Sequence, residues 1–237
     1  MTYSICVRET YSDENGNTQK RFGVGITTRV ACIGVQSPFV SKSGAASSQS
    51  GGISSSFNIP NIELRKKAVE YVEDGVPIES AINALLDADS RRSYRQTHGV
   101  DSNTEYAHTG DNCGDWAGHI IGDNYTVAGN LLAGKEVVEQ TSRKYENSDR
   151  SVTLSERLID ALEAGFQVGG DKRSDDLPIQ SASIKVESTE NHAPIPYYSN
   201  IRVDATETPI SDLQETYEKA KESYSQHLKH REYPPNR

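Results

Sequence analysis

The residue whose type and position most suggest chemistry is Thr2. Methionine is normally removed before a small residue, and its loss here would leave Thr2 with a free α-amine beside its hydroxyl. In that arrangement the hydroxyl attacks a carbonyl while the amine, directly or through water, takes the proton. An α-amine titrates near ~7.7–8.0, close to what a base needs at neutral pH. The plain alternative is a strand residue behind a retained Met1. Other groups are less pointed. Asp171, Lys172 and Arg173 follow a Gly–Gly pair in a helix-to-strand loop, where adjacent charges could fix a carboxylate or simply cap a helix. His119, three residues after Trp116, could titrate near neutrality or serve as a structural donor. Asn130 reads first as a helix N-cap and second as a contact to a substrate amide. His98 and His108 are expected on paired strands. No histidine has the Cys or carboxylate spacing of a metal site, and no cofactor is expected.

The elements that must position these groups are legible in outline. Thr2 to Val7 reads as a strand and Arg21 to Arg29 as its hairpin partner, joined by a turn containing Asn15–Gly16. Ser37 to Asn58 is rich in Ser and Gly, which suits either tight backbone packing or a flexible loop. Leu64, Ala68, Tyr71 and Val72 recur at helical spacing, with Gly75 as the stop. Pro77 opens a second helix carrying Ala81, Ile82, Leu85 and Leu86. Strands flank the turn Asp101–Thr104. A third helix follows Asn130 with Val137 and Val138, and a fourth starts at the Thr153/Glu156 capping box. Gln180 to Val186 alternates as a strand. Ser211 to Lys229 forms a charged helix with Leu213, Tyr217, Ala220, Tyr224 and Leu228 as its stripe, and His230 to Arg237 is expected to fray. Strands and helices in blocks imply α+β layering.

Of the 237 residues, 34% are hydrophobic and the formal net charge is −9, which argues against nucleic acid as a partner. No apolar run is long enough for a membrane helix, and MTYSICVRET has no signal-peptide character, so a cytoplasmic location is expected. Cys6, Cys32 and Cys113 are scattered and read as small hydrophobes.

Several segments occur together in a familiar order: Met1–Ile5, Arg95–Gln96, Thr109–Gly110, Trp116–His119, Gly129–Gly134 and Gly169–Arg173. This set resembles the family called domain of unknown function 1028, over roughly residues 2–215. That family is described as predicted N-terminal-nucleophile hydrolases. The resemblance implies a four-layer αββα sandwich over residues 1–215, with helix 211–229 packed on the domain or on a neighbouring subunit. It also implies amide-bond chemistry at Thr2 on a small metabolite or peptide. Arg29 or Lys42 would lower the proton affinity of the Thr2 site, Asp171 would assist, and Ser48 and Gln49 would bond substrate or oxyanion. The chain departs from the family in an apparently shortened stretch around Pro38–Val40 and Ser47–Gln49, and in Ser174–Ile179 after the Gly–Asp–Lys–Arg motif.

No Gly–x–Ser–x–Gly elbow or phosphate-cradling Gly loop is present. The rival to an enzyme is a non-catalytic ligand-binding or assembly protein on the same scaffold. A homo-oligomer is expected in either case.

Overall fold

The structure, a computed structural model, describes residues 2–51, 60–170, 177–190 and 197–230. The expected N-terminal hairpin is longer than its apolar residues suggested: β1 spans Thr2–Ser12 and β2 spans Thr18–Thr28. Asp13 closes the turn by accepting from the backbone N–H groups of Asn15 and Asn17. Next come α1 (Ile33–Gln36), β3 (Phe39–Val40), β4 (Gly44–Gln49), α2 (Asn61–Glu73) and α3 (Ile78–Asp87). The middle of the chain supplies β5 (Gln96–Asp101), β6 (Glu105–Thr109), β7 (Ala117–Gly122) and β8 (Tyr125–Asn130). It continues with α4 (Glu136–Glu146), α5 (Leu154–Gln167), β9 (Gln180–Ser188), β10 (Asn200–Thr206) and α6 (Pro209–His230).

The strands form two antiparallel sheets, six-stranded β10-β9-β2-β1-β8-β7 and four-stranded β3-β4-β5-β6. Period-two alternation in β1 assigns its two faces. Tyr3, Ile5 and Val7 join the core under α4, α5 and α6, with Leu158, Leu162 and Ile184. Cys6 lies in a smaller cluster with Phe22, Val24, Ala45 and Val100, all fully buried. Helices α2 and α3 cover the four-stranded sheet through Leu64, Ala68, Val72, Ile78 and Ile82.

The low hydrophobic content has a structural counterpart in β4, whose sequence GAASSQ is buried at every position. For residues 44–49 the choice between tight packing and a flexible loop is therefore settled as packing, and residues 52–58 lie outside those described. A Cβ at Gly99 on β5 would come within 2.6 Å of the Ala45 carbonyl, so this approach requires glycine.

Thr153 caps α5 as expected, its hydroxyl accepting from the Glu156 N–H at 3.3 Å. Asp101 closes its own turn and accepts from the Ile78 N–H at 2.7 Å, starting α3. Helix α6 packs on its own chain, with Ile210, Leu213 and Tyr217 in the main core. Residues 231–237, expected to fray, lie outside those described. Among the described residues no helix is long and apolar enough to cross a membrane.

Candidate functional site

Thr2 begins the strand at the middle of the larger sheet. Its register partners are Thr28 on β2 and Asn130 on β8. The Thr2 hydroxyl donates to Thr28 Oγ1 at 3.0 Å. All three residues line a cavity of about 430 Å3, together with Ser48, Gln49, Asn61, Arg65, Tyr94 and Cys113, among others. Thr2 itself is half-buried.

A chain of side-chain amides behind Thr2 ties the two sheets together. Gln49 Nε2 donates to Gln96 Oε1 and to the Ala128 carbonyl at 2.9 Å, and more weakly to the Thr2 carbonyl at 3.3 Å. Gln96 Nε2 donates on to the Gly129 carbonyl and to Thr109 Oγ1. Gln49 Oε1 accepts from Ser4 Oγ at 2.9 Å. Ser4 has then used its one hydrogen, so His98 Nε2, 2.7 Å away, must be the donor to Ser4. His98 Nδ1 is left to accept from Thr126 Oγ1 at 2.8 Å, which assigns the tautomer from the network. Burial holds the His98 pKa down at about 3, so the ring is neutral at ordinary pH.

The expected residues divide sharply. Thr2, Ser48, Gln49 and Asn130 meet at the cavity. Asn130 is not a helix N-cap: it ends β8, and Lys135 precedes α4. Gln49 spends both amide hydrogens on protein carbonyls, which makes it a positioning residue for β1 and leaves none for an oxyanion. Ser48 Oγ bonds Thr97 Oγ1 and Asn61 Oδ1. Arg29 follows Thr28 but is absent from the cavity wall, which Thr28 and Val30 line. Lys42 lies exposed in the β3–β4 connection, at the opposite end of β4 from Gln49, roughly 20 Å along the strand at ~3.3 Å per residue. His119 is on β7, hydrogen-bonded to Thr109 Oγ1 at 2.8 Å in a separate depression beside Trp116. Asp171, Lys172 and Arg173 lie outside the described residues. Among the described residues no group of three or more His, Cys, Asp or Glu is arranged to hold a metal ion.

Arg65, Asn61 and Cys113 are site residues that the sequence reading missed. Arg65 had a signal: it sits on the α2 stripe beside Leu64, Ala68, Val69 and Val72, where a charge is out of place. Three non-glycine residues with left-handed backbone also cluster here. Ser50 (φ 66°) and Leu131 (φ 57°) line the cavity, and Cys32 (φ 64°) precedes the lining residue Ile33. Such conformations concentrate where a surface is held in a set shape.

Residues 2–213 match the family described as a family of unknown function, DUF1028, and the chain belongs to that family. Protein SPO2555 from Silicibacter pomeroyi, known from a crystal structure and bearing the same family designation, has the same fold. The two are 24% identical with a TM-score of 0.71, over 93% of this chain and 86% of that one. No curated protein matches the chain.

Proposed function

We propose that this protein is an N-terminal-nucleophile amidohydrolase or acyl-transfer enzyme, with Thr2 as nucleophile once Met1 is removed. On this reading the two sheets and their outer helices constitute the four-layer αββα sandwich of that superfamily. The observation that carries the proposal is the Thr2 hydroxyl at the wall of a cavity, on the central strand, hydrogen-bonded to Thr28. The α-amine of Thr2 would take the hydroxyl proton as Oγ1 attacks the carbonyl of an amide-like bond. The tetrahedral adduct would then break its C–N bond, the amine leaving with that proton, and the acyl-enzyme would pass its acyl group to water, which frees the acid and returns a hydrogen to Thr2 Oγ1. Gln49 and the Ser4–His98–Thr126 network support the strand start from behind, which favours a fixed attack geometry.

Intact mass before and after exposure to a reactive β-lactone tests this, with Thr2→Ala as control. A chain lacking Met1 that gains one adduct, and none in the variant, supports the mechanism. A chain that keeps Met1 and gains no Thr2-dependent adduct sinks it, and leaves a ligand-binding protein on the same scaffold.

A further inference from the structure

The cavity beside Thr2 is lined by a positive charge that no carboxylate among the described residues answers. Arg65, Arg95 and Arg157 are the largest fully buried side chains among the described residues. Arg95 faces Asp89 at 2.6 Å, and Arg157 grips Glu9 through both Nη atoms. Arg65 has no such partner: among the described residues no carboxylate is within ion-pair distance of it. It donates Nη1 to the Ser48 carbonyl, while its buried Nε and Nη2 reach no acceptor among the described residues. Burial lowers the Arg65 pKa to about 9, which leaves the group charged at neutral pH. An uncompensated buried cation is costly, and one that lines a cavity marks a place where a ligand can supply the counter-charge.

A second polar atom in the same wall is also unanswered. Asn130 Oδ1 is buried without a donor among the described residues. The other half of that amide, Nδ2, donates to the Cys113 carbonyl at 3.3 Å, so the group left over is an acceptor. Two residues of the cavity wall thus carry a guanidinium edge without an acceptor and an amide oxygen without a donor among the described residues. The Nε–Nη2 edge is the fork that meets two carboxylate oxygens.

We infer that the cavity takes a small amide carrying a free carboxylate, with the carboxylate on the Nε–Nη2 edge of Arg65 and the amide N–H on Asn130 Oδ1. A volume of about 430 Å3 accommodates an N-acylated amino acid. The amide's fate as a substrate rests on the proposed Thr2 chemistry. Recognition of the carboxylate does not.

Calorimetry on the full chain, as wild type and as Thr2→Ala, tests the assignment. The probes are N-acetylalanine, N-acetylleucine and N-benzoylglycine, each paired with its carboxamide, with O-acetyllactate as the analogue lacking the N–H. At least one acid should bind tenfold or more tighter than its carboxamide, and Arg65→Gln should erase that preference. O-acetyllactate should bind about tenfold more weakly than N-acetylalanine. Equal binding of acid and carboxamide, or no binding by any acid, overturns the inference without recourse to a variant. Arg65-dependent acid binding in a protein whose Thr2 takes no lactone would sustain the carboxylate site and refute the nucleophile instead.

Discussion

Replacing Glu9 by Gln should be among the most damaging single changes outside the cavity. Glu9 lies towards the far end of β1 from Thr2 and accepts from Arg157 Nη1 and Nη2, Arg150 Nη1, Arg21 Nε and the Tyr145 hydroxyl, all within 3.0 Å. Burial works to raise its pKa, but the Arg157 hydrogen bonds and charge, with Arg21 and Tyr145, lower it from 4.5 to about 2. A carboxylate with a lowered native pKa adds stability above its unfolded value, and that stability fades as pH falls through the native one. A difference of about 2.5 units at ~1.36 kcal/mol each gives about 3.4 kcal/mol at pH 7. The same relation leaves about 1.4 kcal/mol at pH 3. Glu9→Gln should therefore lose about 3 kcal/mol at pH 7, in the range for breaking one side of a buried pair, and about half of that or less at pH 3. Urea unfolding of parent and variant at both pH values measures this. A loss below about 1 kcal/mol at pH 7, or an equal loss at both, would refute the reasoning.

Two further outcomes follow from buried or strained groups. His98, neutral in the fold and with a pKa of about 3 against an ordinary 6.5, charges more readily when unfolded. Lowering the pH from 7 to 5 should therefore cost about 2 kcal/mol, and His98→Asn should flatten that part of the stability profile in urea melts. Cys32→Gly should raise stability by about 0.5–1 kcal/mol in thermal unfolding, since glycine adopts the left-handed backbone without strain. The exposed Cys32 thiol gives up little packing in that exchange.

What the sequence disclosed was whatever repeats along the chain. Helical spacing located α2, α3 and α6 and alternation located β9, because those periods follow from one buried face, while a capping box marked α5 and an Asn–Gly turn marked the β1–β2 hairpin. The buried strand β4 was ambiguous because Gly, Ala and Ser carry no hydrophobic signature, although they are what permits two sheets to approach closely. The site was legible only at Thr2, Ser48, Gln49 and Asn130. Lys42 went astray because adjacency in sequence says nothing about which end of a strand faces a cavity. Arg65 was overlooked because a charge on a helix is ordinarily a solvated one, and its misplacement on the apolar stripe is visible only when each position is asked which face it occupies.

The place of β1 also bears on the order in which the protein can be assembled during synthesis. Its neighbour β8 ends at Asn130, and β2 waits for β9, which begins at Gln180. At ~5–20 residues per second, the N-terminal hairpin spends on the order of ten seconds outside the ribosome with both its edges unpaired. During that interval Thr2 has no cavity wall from β8 around it and no amide chain from β5 behind it. On the proposed reading, the Thr2 hydroxyl is thus kept inert until more than half of the chain has emerged. The cost is a sticky two-stranded intermediate, which should make this protein depend on chaperones when it is overproduced.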